Sequence, residues 1–123
     1  MLANSSVMAF VATVKPDQSR DFYEKVLGLR LESDDPFAIV FDCAGTMLRV
    51  QKVERFEPHP FTALGWRVEN IEEAVRDLEG QGVDFEKYPF VDDPRGIWTA
   101  PGGARIAWFK DPDGNTLSLT EFP

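Results

Sequence analysis

Apolar and polar positions follow two periods along this chain, and the periods succeed one another in the same order twice. Residues 7–14 form an apolar, β-branched run stopped by Lys15-Pro16-Asp17, which predicts a strand followed by a turn. With Asp17 as the expected cap, Phe22, Tyr23, Val26 and Leu27 recur at helical spacing and Gly28 ends the stretch, so a helix with one apolar face is predicted. Residues 29–32, 37–43 and 46–52 then read as three short strands, separated by Ser33-Asp34-Asp35-Pro36 and by Ala44-Gly45. The first half is βαβββ.

The second half repeats it. Residues 62–68 read as a strand. Asn70 and Glu73 form the capping box of a helix whose buried stripe is Ile71, Ala74, Val75 and Leu78, and Gly82 stops it as Gly28 stops the first. Residues 83–88, a segment 98–109 broken by Pro101-Gly102-Gly103, and residues 116–121 supply three more strands. Gly102-Gly103 precedes no helix, so it reads as a β-turn and not as a phosphate loop. Module one spans 7–53, a proline-interrupted linker 54–61, and module two 62–122, within one domain covering 1–123. The fold class is α+β. In each module the helix covers one face of the sheet, so the other face needs a second sheet, and two such faces would enclose a cavity.

Composition narrows the partners. At 123 residues with 43% hydrophobic content the chain suits a single core. Thirteen basic against 21 acidic residues, with no cluster of Lys or Arg, argue against nucleic acid. No apolar stretch is long enough to cross a membrane, and the N-terminus lacks a leader-like pattern, so a cytoplasmic protein is expected. The single cysteine, Cys43, is expected to be a small buried residue at a strand end, and it excludes an internal disulfide.

The paired βαβββ units, the helix carrying Phe22-Tyr23 and ending Val26-Leu27-Gly28-Leu29, and the closing turn Asp111-Pro112-Asp113-Gly114-Asn115 together resemble the vicinal oxygen chelate superfamily, most closely its glyoxalase and bleomycin-resistance group. The resemblance implies two modules whose sheets form a half-barrel cavity. It also implies a divalent metal held by one side chain from the first and last strand of each module, mostly His, Gln and Glu. Carried onto this sequence, those positions are Ala9, Arg49, Ala63 and Ser118. Alanine has no donor, Arg repels a cation and Ser is a poor neutral ligand, so neither a metal nor another cofactor is expected. The neighbours Met8, Phe10, Leu48, Val50, Thr62, Leu64, Leu117 and Leu119 offer no ligand set either. His59, the one histidine, lies in the linker.

Strand alternation is expected to send Ala9, Val11 and Thr13, then Met47, Arg49 and Gln51, then Ala63, Gly65 and Arg67, then Thr116, Ser118 and Thr120 into the cavity. The candidate binding residues are Thr13, Met47, Arg49, Gln51, Arg67, Trp98, Trp108, Ser118 and Thr120. Arg49 is either a grip for a carboxylate or phosphate or half of a structural ion pair. Trp98 and Trp108, with Tyr88, Phe90 and Phe109 nearby, are either a cavity wall or core, because the sequence leaves the inward face of the 104–109 strand open. The loop 91–96 reads as a plain connection.

The expected function is metal-independent binding of a small organic molecule, extending to sequestration of an antibiotic or metabolite, by a protein that the resemblance implies is a homodimer. The alternative is a lyase, isomerase or dioxygenase of the same superfamily with an atypical metal site, which would have to use Glu121, Asp42 and His59.

Overall fold

Strand β1, Met8–Thr13, ends where Pro16 fixes the backbone for a helix. Helix α1 spans Pro16–Asp21, with Lys15 at its N-cap and Pro16 in the first turn. Asp17 is therefore an acid inside the first turn, where it complements the helix dipole, and not the expected cap. The helix widens into a π-type turn over Phe22–Val26, closed by a hydrogen bond from the Leu27 N–H to the Phe22 carbonyl at 2.9 Å. Gly28, at φ +72°, ends it as the spacing predicts. Tyr23 is fully buried from this helix, with its ring centroid 5.9 Å from that of Phe41.

Three strands follow: β2 (Arg30–Asp34), β3 (Ala38–Cys43) and β4 (Thr46–Lys52). They make a four-stranded sheet in the order β1-β4-β3-β2, with β1 parallel to β4 and the other pairs antiparallel. Cys43, at the end of β3, is half-buried and not buried as expected, because the two-residue turn Ala44-Gly45 beside it is exposed.

The structure, a computed structural model describing residues 1–123, divides into two compact units, Met1–Glu57 and Pro58–Pro123. The second repeats the order of the first. Strand β5 (Thr62–Arg67) leads to helix α2 (Ile71–Gly80), where the Asn70 side chain accepts from the Glu73 N–H at 3.1 Å as the capping box predicts. Gly82, at φ +92°, closes α2 in a Schellman motif, with the Val83 N–H donating to Leu78 and the Gly82 N–H to Glu79. Ile71 and Val75 are buried where α2 packs on the sheet.

The second sheet runs β5-β8-β7-β6, with β6 at Trp98–Thr99, β7 at Arg105–Lys110 and β8 at Thr116–Glu121. Its edge departs from expectation. Residues 83–88 form no strand and contribute a single bridge, Phe85 to Phe109. The segment 98–109 is two strands joined by the predicted turn, in which the Gly103 N–H donates to the Ala100 carbonyl at 2.9 Å. The edge of β7 is thus shared, one end taken by β6 and the other by Phe85 and Glu86, whose N–H donates to the Trp108 carbonyl at 2.8 Å.

Candidate functional site

Each sheet has a face packed by its helix and a face free of it, and strand register decides which residues share the free face. In unit one, β4 behaves as predicted. Leu48 and Val50 are buried in the core, while Met47, Arg49 and Gln51 point the other way. Strand β1 does not. Its register places Ala9 beside Leu48 and Val11 beside Val50, so Ala9, Val11 and Thr13 belong to the helix side, whereas Met8, Phe10 and Ala12 flank Met47, Arg49 and Gln51. Burial agrees: Val11 and Thr13 are buried, and Phe10 is exposed. Thr13 is a correction to the candidate set, because its hydroxyl accepts from the Lys15 N–H at 3.0 Å beneath the core and turns the chain into α1. Ala9 is likewise corrected, since the free-face residue paired with Arg49 is Phe10.

Arg49 lines a concavity of about 430 Å³ with Glu32, Ser33, Val40, Phe41, Asp42, Gly45 and Met47. The acids there are engaged elsewhere: Glu32 faces Arg30 at 3.6 Å, and Asp42 accepts from the Gly45 N–H at 3.1 Å to close the β3–β4 turn. Arg49 has no carboxylate partner in its own unit. Its charge acts at longer range on Asp35, whose carboxyl lies below its usual value chiefly because the Phe37 and Ala38 N–H groups donate to it, with Arg49 a smaller cause.

In unit two the predicted alternation holds along β8. Leu117 and Leu119 face the core, and Thr116, Ser118 and Thr120 share the opposite face. On β5 a register shift between Thr62 and Leu64 takes Ala63 out of the pairing, so Gly65 lies beside Ser118 and Arg67 beside Thr120. Ala63 is therefore not the paired position expected. Gly65 and Ser118 approach so closely that a Cβ on Gly65 would lie 2.6 Å from the Ser118 hydroxyl oxygen. Arg67 sits over the Phe122 ring, 5.2 Å from its centroid.

The register of β7 assigns the face that the sequence leaves open. Ala107 and Phe109 are core, and Trp108 pairs with Ser118 on the helix-free face. Trp98 of β6, paired with Ile106 of β7, stands on the same face, with its ring centroid 6.0 Å from that of Trp108. Tyr88 and Phe90 come from the segment before β6 and complete the cluster. Tyr88 meets Trp108 edge to face at 5.5 Å, and Phe90 meets Trp98 edge to face at 5.7 Å. The Trp108 indole N–H donates to the Thr62 hydroxyl at 3.2 Å, which fixes the ring across the sheet. Burial under this cluster, aided by repulsion from Glu86, raises the Tyr88 hydroxyl above its usual pKa and keeps it neutral.

The remaining titratable candidates serve the framework. Glu121 accepts from the Ile71 N–H at 3.0 Å, which anchors the start of α2, and faces Arg105 at 3.8 Å. His59 stacks on Phe61 with centroids 4.9 Å apart. Asp111 is buried in the closing turn, where one carboxylate oxygen accepts from the Asp113 and Asn115 N–H groups and the other from the Asn115 amide.

The strand positions that the resemblance reserves for a divalent metal hold Phe10, Arg49, Gly65 and Ser118, which present an aromatic ring, a cation, no side chain and one neutral hydroxyl. That donor set does not fit a metal. No three His, Cys, Asp or Glu side chains converge elsewhere in the structure.

Sequence reasoning names Trp98 and Trp108 as binding residues and notes Tyr88 and Phe90 only as neighbours for a cavity wall, while the part played by Thr62 is missed. The spacing of Tyr88 and Phe90, ten and eight residues before Trp98, has no period that would place them, since they reach the sheet from a segment without regular structure.

No curated protein matches the chain. Among solved structures, it is similar to a lactoylglutathione lyase from Agrobacterium tumefaciens, at TM-score 0.76 and 18% identity, covering 97% of this chain and 95% of that one. It is also similar to a glyoxalase family protein from Enterococcus faecalis, at TM-score 0.73 and 20% identity over 98% and 100% of the two chains. A glyoxalase/bleomycin resistance protein/dioxygenase from Alicyclobacillus acidocaldarius matches at TM-score 0.74 and 18% identity over 97% and 92%. These likenesses show the fold. The family profile described as Glyoxalase/Bleomycin resistance protein/Dioxygenase superfamily matches residues 6–119, and the chain belongs to that superfamily.

Proposed function

We propose that this protein binds a small organic molecule without the divalent metal of the superfamily's enzymes. One observation carries the reading: the four free-face positions on the first and last strands of the two units hold Phe10, Arg49, Gly65 and Ser118. The faces offer other contacts in place of metal ligands. Arg49 supplies a cation that no acid of its unit occupies, suited to a carboxylate or phosphate. Trp98, Trp108, Tyr88 and Phe90 supply a half-exposed stacking surface for a planar ring. Such a binder would sequester a metabolite or an antibiotic in the cytoplasm. It would act as a homodimer, a state supported by the exposed apolar residues Phe10 and Met47 on the free face of the first sheet.

Metal analysis of the purified protein, combined with a tryptophan-fluorescence screen of planar organic compounds, tests this reading. Less than about a tenth of an equivalent of Mn, Fe, Ni or Zn, with saturable quenching by at least one compound in the presence of a chelator, is the expected result. Stoichiometric metal that is needed for binding would overturn it.

A further inference from the structure

The segment between Tyr88 and Trp98 builds a hollow at the edge of the second sheet that the family's metal positions do not reach. It has a volume of about 300 Å³ and is lined by Phe90, Asp92, Asp93, Ile97, Trp98 and Thr99. Phe90 and Trp98 stand at 87° to each other with centroids 5.7 Å apart, so two aromatic walls meet in a corner. The segment is held in place by its own bonds. Asp93 accepts from the Arg95 backbone N–H at 2.7 Å and from the Arg95 guanidinium at 2.8 and 3.1 Å, and the Gly96 N–H donates to the Asp93 carbonyl at 2.9 Å. Gly96, at φ +84°, lies so close to the Glu86 carbonyl that a Cβ would fall 2.6 Å from its oxygen.

Charge decides what the corner would accept. Arg95 is shared between Asp93 and Glu72, the latter at 3.1 Å, so its positive charge is committed to two carboxylates. Asp92, an exposed residue lining the same hollow as the two rings, has no hydrogen-bond or ion-pair partner, which leaves one uncommitted negative charge there. A small inorganic cation would have to shed strongly held water to reach those rings. An alkylated ammonium sheds little, gains the attraction of the ring quadrupoles and fills apolar volume.

We propose that this corner of Phe90, Trp98 and Asp92 binds an organic ammonium group, on a ligand fragment about the size of choline. The proposal deepens the small-molecule reading above, because Phe90 and Trp98 also belong to its stacking surface. Choline and its neutral carbon isostere, 3,3-dimethylbutan-1-ol, are titrated at constant ionic strength with tryptophan fluorescence as the readout, on the native protein and on the Asp92→Asn and Phe90→Leu variants. Saturable quenching by choline is expected, with the isostere at least about tenfold weaker and each variant at least about fivefold weaker toward choline. Far-ultraviolet circular dichroism and denaturant unfolding check that both variants keep the native fold. Equal affinity for choline and the isostere, unaltered choline affinity in Asp92→Asn, or no saturation by choline up to about 100 mM each overturns the ammonium proposal. Small-molecule binding as such is tested separately by the planar-compound screen, so either reading can fail while the other stands.

Discussion

The two units are built on one plan and finished differently. Each has a β strand, a helix closed by a left-handed glycine, and a sheet in which the first strand lies parallel to the last. The last strands match position for position, with Leu48 and Leu117 in the core and Arg49 and Ser118 opposite them. Even the ionic clips correspond. In unit one, Asp34 ties Arg20 of α1 to Lys52 of β4, and in unit two Glu72 of α2 meets Arg105 of β7 and Arg95 of the edge loop. The helix-free faces share nothing comparable. One offers Phe10, Met47 and a lone Arg49; the other offers four interlocked rings over small residues. The buried face is constrained by packing on the helix, whereas the free face carries no such constraint, and there the two units diverge.

The largest expected effect tests the shared half of that comparison. Leu48→Ala and Leu117→Ala should each destabilise the protein by about 2–5 kcal/mol in denaturant unfolding, because both side chains are buried beneath a helix. A difference between them of more than about 2 kcal/mol would break the equivalence of the two cores. The next test concerns the faces that differ. Trp108→Ala removes a half-buried ring together with its bond to Thr62 and should cost about 2 kcal/mol, whereas Arg49→Ala should stay within about 0.5 kcal/mol. A loss of several kcal/mol on removing Arg49 would mean that its charge is paired and structural.

The smallest effect is ionic. The carboxyls of Asp34, Glu72 and Asp93 all lie below their usual values, each chiefly through a side-chain hydrogen bond, from Lys52, Arg105 and Arg95 respectively. A lowered folded-state pKa means stabilisation that is complete above the unfolded carboxylate value and is lost as pH falls through the folded one. The clips should therefore hold at about pH 6 and loosen below about pH 4, and solvent exposure keeps the effect small. Tryptophan emission reports the second unit, because Trp98 adjoins the Asp93 loop; a red shift below about pH 4 is expected, and Asp93→Asn should remove most of it. Emission that does not move between about pH 6 and about pH 3 would show that the clip does not hold the loop.

How much of this is legible in the sequence depends on contrast between faces. Along β4 the alternation of Leu48 and Val50 with Arg49 and Gln51 announces its own phase, and the structure agrees. Along β1, residues 7–12 are apolar on both sides, so the phase is invisible, and alternation alone assigns the bulky Phe10 to a core that it does not enter. Thr13 is misplaced by the same slip. The shift that takes Ala63 out of register has no local marker, since Thr62-Ala63-Leu64 reads as ordinary strand. Residues 83–88 have strand composition, but β7 has a single free edge and Trp98–Thr99 takes part of it. The metal question is less sensitive to phase. With β1 in either phase, the candidate positions carry no ligand set.

The contact between Gly65 and Ser118 bears on how this chain could be redesigned. The two positions are coupled: any side chain placed at 65 must first displace the hydroxyl at 118, since even a methyl group would lie 2.6 Å from it. A histidine or glutamate placed at position 65 meets the Ser118 hydroxyl at once, whereas one placed at position 118 faces a neighbour without a side chain. Along the seam between β5 and β8 the order of substitution therefore matters, because the Ser118 hydroxyl must turn aside or be removed before position 65 can carry a side chain.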